Sequence, residues 1–335
     1  MSAIHPVAAP APGQVRPHFR NLPLRVGTRG SPLALWQTRH FLSIITRFCP
    51  VLRDAKAFEE HAIATSGDRI QDRLLADIGG KGLFAKEIHE ALLDGRIDFA
   101  VHSLKDLETE MPPGIVLACT LRREDARDSL ILGPRCGQPD PSDPFAALPA
   151  GAVIGTASVR RQSQILHARP DLRIAMIRGN VQTRLAKLAA ENGPSATLLA
   201  LAGLRRLGLE ACASVVLDPD AMVPAAGQGI VGVTARADDV ALLELLAAIE
   251  DREAAAVSRA ERALLAALDG SCRTPIGGHA RLLSDGRLHL TGLVARPDGS
   301  FLLKRSAQGT VADAVALGRE LGEGLRRDSP ADIFG

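Results

Sequence analysis

The chain contains no tyrosine and a single tryptophan in 335 residues, and nine phenylalanines make up the rest of an aromatic share of 3%. Proteins that stack nucleic-acid bases need such rings, so a base-stacking platform is excluded. An excess of one charge is also lacking. Basic residues number 40 and acidic ones 38, and a formal net charge of +2 is not that of a polycation built for nucleic acid. No apolar run approaches the roughly 20 residues of a membrane span. The five cysteines, Cys49, Cys119, Cys136, Cys212 and Cys272, are odd in number and lack metal-ligand spacing. That predicts reduced thiols, no metal and a cytoplasmic protein. Residues 1–22 hold no continuous apolar core, so they read as a flexible tail and not as a secretory signal. A monomer is the default expectation, since no additional assembly element is evident.

Lysine is scarce as well, with six against 34 arginines among the 40 basic residues. A GC-rich coding bias accounts for most of this, and it leaves each lysine more informative than any one arginine. Lys105 stands in Asp98-Phe99-Ala100-Val101-His102-Ser103-Leu104-Lys105-Asp106. The apolar run before His102 predicts a short buried strand ending in a loop, where α/β proteins place their chemistry. A solvated ion pair is the plain reading of Lys105-Asp106 in isolation. Downstream, Arg160, Arg161, Arg169, Arg173, Arg178 and Arg184 are accompanied between Thr156 and Arg184 by one acid, Asp171. A carboxylate facing such a field stays ionised and can act on an anionic ligand.

The length suggests two or three domains. A strand over Leu24–Gly27 leads through Thr28-Arg29-Gly30-Ser31-Pro32 into a helix with Ser31 as N-cap, Pro32 as first residue and Pro50 as terminator. The helix start beside Arg29 is a natural anion seat. Ile78-Gly79-Gly80-Lys81-Gly82 is a glycine-rich loop with Lys81 at its tip, without the spacing of a Walker loop. From Ala152 a second strand–helix series begins, and Ile154-Gly155-Thr156 echoes Val26-Gly27-Thr28. Two similar α/β domains facing a common cleft follow. After Ala225-Ala226-Gly227-Gln228-Gly229, the strand Ile230–Thr234 is expected to cross back to the first domain. The remainder predicts a helix over Arg252–Leu268, three antiparallel strands and a last helix, a small α+β domain. Cys272 differs from the other cysteines, for it lies on a predicted loop beside Arg273, a setting that favours the thiolate. A reactive thiol and an inert loop cysteine both fit that spacing.

Several stretches together resemble the porphobilinogen deaminase family, collinearly from about residue 23 to 330. They are Thr28-Arg29-Gly30-Ser31-Pro32-Leu33-Ala34, Gly79-Gly80-Lys81-Gly82-Leu83-Phe84, Val101-His102-Ser103-Leu104-Lys105-Asp106, Arg160-Arg161, Ile177-Arg178-Gly179-Asn180-Val181-Gln182-Thr183-Arg184, Ala226-Gly227-Gln228-Gly229, and Cys272 with Pro275-Ile276-Gly277. The resemblance implies two α/β domains like the lobes of periplasmic binding proteins, over 23–122 with 228–248 and over 123–227, plus a third over 249–335. It implies a transferase that joins four porphobilinogen molecules head to tail, releases ammonia, and frees hydroxymethylbilane with water. It also implies a dipyrromethane primer bound through a thioether to Cys272, held by Lys105, Arg160, Arg161, Arg184 and Ser31. Arg29, Arg178, Arg206 and Lys81 would meet substrate, and Asp106 would be catalytic. Guanidinium forks suit the acetate and propionate of each unit, and a carboxylate suits the cation left when ammonia departs. A non-enzymatic lobed binding protein for an anionic small molecule is the alternative.

This chain departs from the family's usual pattern in two places. Val-Pro after Lys-Asp is here Leu107-Glu108, which is expected to loosen the loop and to add negative charge near Asp106. Gly-Gly-Cys-Gln-Val-Pro is here Gly270-Ser271-Cys272-Arg273-Thr274-Pro275.

Overall fold

The computed structural model describes residues 22–69, 82–268 and 274–334. The expected tail, Lys81 and Cys272 thus lie outside the described residues, Leu22 of the tail excepted. Strand β1 (Leu24–Arg29) buries Leu24 and Val26, and helix α1 (Pro32–Phe48) follows at once. Ser31 caps that helix as its sequence position predicts, with its Oγ accepting from Ala34 N at 3.3 Å. Phe41 and Ile45, one turn apart, put the apolar face of α1 on the sheet. Pro50 does more than stop the helix, because it opens a second short one, α2 (Pro50–Asp54), at a position where its missing N–H costs nothing. Next come β2 (Phe58–Ile63), the single turn α3 (Ser66–Arg69), α4 (Lys86–Leu93) and β3 (Phe99–Ser103). The residues after β3, Leu104–Asp106, form a 3₁₀ turn instead of an open loop. Strand β4 (Ile115–Thr120) completes this part of the chain.

The second series comprises β5 (Asp128–Leu132), β6 (Val153–Gly155), α5 (Val159–Ala168), β7 (Arg173–Ala175), α6 (Val181–Ala189), β8 (Ala196–Ala200), α7 (Leu201–Arg206) and β9 (Val215–Val216). Then β10 (Val231–Arg236) returns to the first sheet, as expected, and lies antiparallel between β3 and β4. The two sheets have five strands each, in the orders β2-β1-β3-β10-β4 and β7-β6-β8-β5-β9. Each mixes parallel neighbours with antiparallel ones.

Helices α8 (Val240–Ala247) and α9 (Arg252–Leu268) lead into the antiparallel strands β11 (Ile276–Leu282), β12 (Leu288–Ala295) and β13 (Leu302–Gly309), and α10 (Ala314–Arg327) follows. Helices α9 and α10 pack closely because α10 carries Gly322 at the contact, where a Cβ would sit 2.7 Å from that of Ala267. The apolar cluster of this unit, including Leu264, Leu290 and Leu325, also takes in Leu104, Leu107 and Ile230. The 3₁₀ turn bearing Lys105 and Asp106 therefore rests on the third unit as well as on the first sheet. Glu261 of α9 is fully buried at the joint. It accepts from Arg123 Nη1 at 2.6 Å, Gly227 N at 2.6 Å and Ala280 N at 2.7 Å. Among the described residues, no helix is long and apolar enough to cross a membrane.

His102 joins β3 to β10, its Nε2 lying 2.9 Å from Thr234 Oγ1, and burial pushes its pKa down to about 3. Burial also pushes His279 down to about 3. The unfolded chain takes up protons near pH 6.5 that these folded rings refuse, so stability falls as pH is lowered from 6.5 towards 3. His102 alone contributes a loss of about 2 kcal/mol by pH 5. The urea midpoint should therefore drop between pH 7 and pH 5, and the drop should shrink in a His102→Gln/His279→Gln double variant. An unchanged drop would place the acid sensitivity elsewhere.

Candidate active site

The two five-stranded sheets face each other across a cleft of about 680 Å³. On the first side stand Arg29 at the end of β1, Ser31 at the start of α1, and Lys105 and Asp106 on the 3₁₀ turn after β3. The second side supplies Arg160 and Arg161 from α5, Arg178 from the β7–α6 connection, Arg184 from α6 and Arg206 from α7. All nine described residues singled out from the sequence thus line one cavity. Arg169 and Arg173 do not, for Arg169 is turned outward onto Asp171 and Arg173 is exposed.

The basic field is balanced from beneath by a residue the sequence reading missed. Asp128, the first residue of β5, is fully buried and ion-paired to Arg160 Nη2 at 2.8 Å and Arg161 Nη2 at 2.7 Å. Burial works against its charge, but the two guanidiniums outweigh it and hold its carboxyl far below the usual range. Arg160 Nη1 further donates to Val223 O at 2.6 Å, and Arg161 Nη1 to Leu198 O at 2.8 Å. Gln228, on the connection returning to β10, donates to Asp128 Oδ1 at 2.9 Å and accepts from Lys105 Nζ at 3.2 Å. Lys105 opens onto the cleft but is crowded by protein, and that desolvation pushes its pKa down to about 8. The chain Arg160/Arg161–Asp128–Gln228–Lys105 thereby links both walls.

A second carboxylate is equally committed. Asp68, from α3, accepts from Arg29 Nε at 3.1 Å and from Thr65 Oγ1 at 2.7 Å, and Arg29 Nη2 also bonds its other oxygen. Burial opposes both charges. Even so, their mutual attraction holds Asp68 below, and Arg29 above, their ordinary pKa values. The Arg29 guanidinium also lies over the Phe84 ring, 4.2 Å from its centroid. Asp106 is held more loosely, for its one ion-pair contact among the described residues is Arg29 Nη1 at 3.4 Å. It is the most available carboxylate of the cleft.

Arg184 and Arg206 have no carboxylate within ion-pair distance among the described residues. Arg184 Nε donates to Gly179 O at 2.9 Å and Arg206 Nη2 to Gly229 O at 2.6 Å. Burial pushes each down to about 10. Arg178 is buried and donates to Gly67 O at 3.2 Å. The Ser31 hydroxyl accepts from its own helix and keeps its proton for a ligand. Such a site can hold several carboxylates at once and keep one carboxylate of its own beside them.

Glu108 corrects one expectation. It does not add charge to the cleft, because its side chain is only 8% exposed and is turned inward to His89. Leu107 does not loosen the turn either, since it is buried in the apolar cluster of the third unit. Signals for Asp68 and Asp128 existed only as acids near a β–α turn and ahead of an apolar run. Neither spacing announces an arginine partner.

Residues 24–244 match the family model described as porphobilinogen deaminase, dipyromethane cofactor binding domain, and residues 254–327 match that of the porphobilinogen deaminase C-terminal domain. The chain is 49% identical over 316 residues to a porphobilinogen deaminase of Paracoccus denitrificans, covering 93% of this chain and 96% of that protein. It is 44% identical over 331 residues to the chloroplastic porphobilinogen deaminase of Oryza sativa, covering 98% of this chain and 90% of that protein. Among solved structures, the VFT2 domain of Bordetella pertussis BvgS matches at a TM-score of 0.36 and 13% identity, covering 72% of this chain and 92% of that one. A Salmonella typhimurium periplasmic binding protein of high arginine specificity matches at a TM-score of 0.37 and 13% identity, covering 70% and 94%.

Asp128→Asn keeps the shape of the residue but leaves two buried guanidiniums without their counter-charge. Loss of one partner from such a buried group costs about 3–5 kcal/mol. Urea unfolding at pH 7 should show a loss of that order, and a loss below about 1 kcal/mol would mean that Asp128 does not balance the pair.

Proposed function

The chain belongs to the porphobilinogen deaminase family, and from that premise we propose that its cleft joins porphobilinogen molecules head to tail, with release of ammonia at each of four couplings. It is a transferase of tetrapyrrole biosynthesis with a dipyrromethane cofactor. The cleft residues suit that group, since Arg184 and Arg206 are partly buried cations with no carboxylate within ion-pair distance among the described residues. When bound, the cofactor supplies a tethered pyrrole that accepts each new unit, which makes the coupling effectively intramolecular. We assign its thioether to Cys272, and its carboxylates to Arg160, Arg161, Arg184, Lys105 and Ser31. Substrate carboxylates go to Arg29, Arg178, Arg206 and Lys81.

The single observation that carries the reading is Asp106, held by one long contact in a cleft where Asp68 and Asp128, the other acids described there, are each ion-paired to arginine at close range. In this reading its free oxygen accepts the pyrrole N–H of the incoming substrate and opposes the positive charge that grows on that ring as ammonia leaves. Arg29, clamped by Asp68, holds Asp106 from one side at 3.4 Å. Lys105 keeps its proton below about pH 8 and serves as a charged donor there. The burial of Arg160, Arg161 and Arg178 limits water around these charges and strengthens their hold on carboxylates. We divide the chain into 23–122 with 228–248, 123–227 and 249–335, in keeping with the membership of the three sheets. We further propose a cytoplasmic monomer as the working unit. A lobed binding protein without activity has no observation in its favour that the enzyme lacks.

Asp106→Asn should leave fold and cofactor content in place and lower coupling by about 10²–10³-fold, the usual contribution of one preorganised group. Asp106→Glu should retain more activity than Asn because the charge survives. Single-turnover assays at equal cofactor content, fixed by intact mass, measure both. An Asn variant within a few-fold of the parent would make Asp106 structural.

Cys272→Ser should give a folded protein without covalent pyrrole, since a hydroxyl does not form the thioether. Intact mass decides this. An adduct on the Ser variant, or one mapped in the parent to Cys49, Cys119, Cys136 or Cys212, would overturn the assignment.

A further inference from the structure

Beneath the turn that bears Asp106 lies a pair of ionisable side chains that the reaction does not use. Glu108 and His89 of α4 are 8% and 3% exposed, and Glu108 Oε1 stands 3.7 Å from His89 Nδ1. That is too long for a hydrogen bond. Neither ring nitrogen of His89 has a hydrogen-bond partner, nor does Glu108 Oε2, although all three atoms are buried. Leaving such groups unmet in a core costs about 1–3 kcal/mol each, so their placement calls for a reason. We propose that Glu108 and His89 form a buried proton-sharing pair that sets the position of the Lys105–Asp106 turn, which makes Glu108 a positioning residue for Asp106. The inference rests on the role given to Asp106 above.

Glu108 is two residues beyond Asp106, and the segment around it is held from several directions. Leu104 and Leu107 are buried in the third unit's apolar cluster. Arg262 of α9 donates from Nη2 to Glu108 O at 2.8 Å and to Thr109 O at 2.6 Å. The Glu108 carboxylate fills the space beside Gly82, where any Cβ would collide with it and where φ is +83°. The carboxylate is thus wedged between α4, the residue Gly82 ahead of α4, and α9. Its contact with His89 falls short of a hydrogen bond. A movement of about 1 Å would close 3.7 Å to a charge-assisted hydrogen bond.

Among the described residues, the charges that face the pair are few. Arg262 approaches from α9, and Glu108 in turn favours its charged form against a larger desolvation. His102 from β3 stacks obliquely on His89, with ring centroids 5.9 Å apart, and stays neutral above about pH 3. Burial lowers the pKa of His89, and Glu108 opposes that shift. Removing the Glu108 charge must therefore move His89 titration to still lower pH, a response that a purely space-filling Glu108 would not produce.

The test uses the full chain with its cofactor in place. Glu108→Gln keeps the volume beside Gly82 and removes the charge. We expect kcat to fall about tenfold with KM within twofold of the parent and cofactor content unchanged. The His89 ring resonances in ¹H–¹⁵N spectra should titrate at lower pH than in the parent. His89→Gln should reproduce the kcat loss, and the double variant should lose little more than either single one. If Glu108→Gln does not fold, the His89→Gln kinetics decide alone. A kcat within twofold of the parent in the folded variants, or multiplying losses in the double one, overturns the pair. Asp106→Asn run alongside separates the two readings. An active Asn variant with an impaired Gln variant overturns the role of Asp106, whereas an inactive Asn variant with a normal Gln variant overturns the pair.

Discussion

The arrangement of the cleft depends on one constraint: cations gathered out of water must be balanced, and Asp128 does most of the balancing. A lone buried guanidinium is costly, and two adjacent ones repel. Asp128 sits fully buried between Arg160 and Arg161 and meets both within 2.8 Å. Its location on β5, and not on the helix that carries the arginines, ties the helix to the sheet through charge. Gln228 extends the same carboxylate's reach to Lys105 on the opposite wall. The position of a first-wall cation is therefore coupled to a second-wall anion through an uncharged amide that can bond both.

A related device holds the third unit. Glu261 takes donors from Arg123, Gly227 and Ala280, which belong to three stretches far apart in the chain. Arg123 also donates from Nε to Gln228 O at 2.9 Å. The residue that links the walls of the cleft is thus anchored by the residue that docks the third unit. Electrostatics at the joint and in the cleft meet at Gln228.

Much of this architecture was legible in the residues. The N-cap of α1, the return of β10 and the helix Arg252–Leu268 follow from capping chemistry and apolar periodicity. The cleft cations were legible because basic residues stand out in a short window. Strands β4 and β5 were not. A strand whose first residue is a charged aspartate reads as a loop until its arginine partners are in view, and they lie more than 30 positions on. The same blindness applies to Asp68 and Arg29, and to Glu108 and His89, where the spacing along the chain carries no trace of the contact. Sequence pattern conveys which side chains face a core, but it does not convey which buried charges neutralise each other.

That distinction decides which carboxylate can do chemistry. Among the described residues, Asp68, Asp106 and Asp128 border the cleft or its floor, each beside at least one guanidinium, so charge alone does not tell them apart. Availability does. Asp128 meets two guanidiniums and an amide, and Asp68 a guanidinium and a hydroxyl, so neither can turn to a new partner without losing bonds. Asp106 has one long contact at 3.4 Å and open space before it. A cation forming in the cleft would gain little from Asp128 or Asp68, whose fields are already cancelled at close range by their own partners. It gains most from the acid whose nearest partner, Arg29, is itself occupied by Asp68. The Arg29–Asp68 pair therefore acts on Asp106 indirectly, by leaving its negative field less cancelled than those of Asp68 and Asp128, as the role proposed for Asp106 requires.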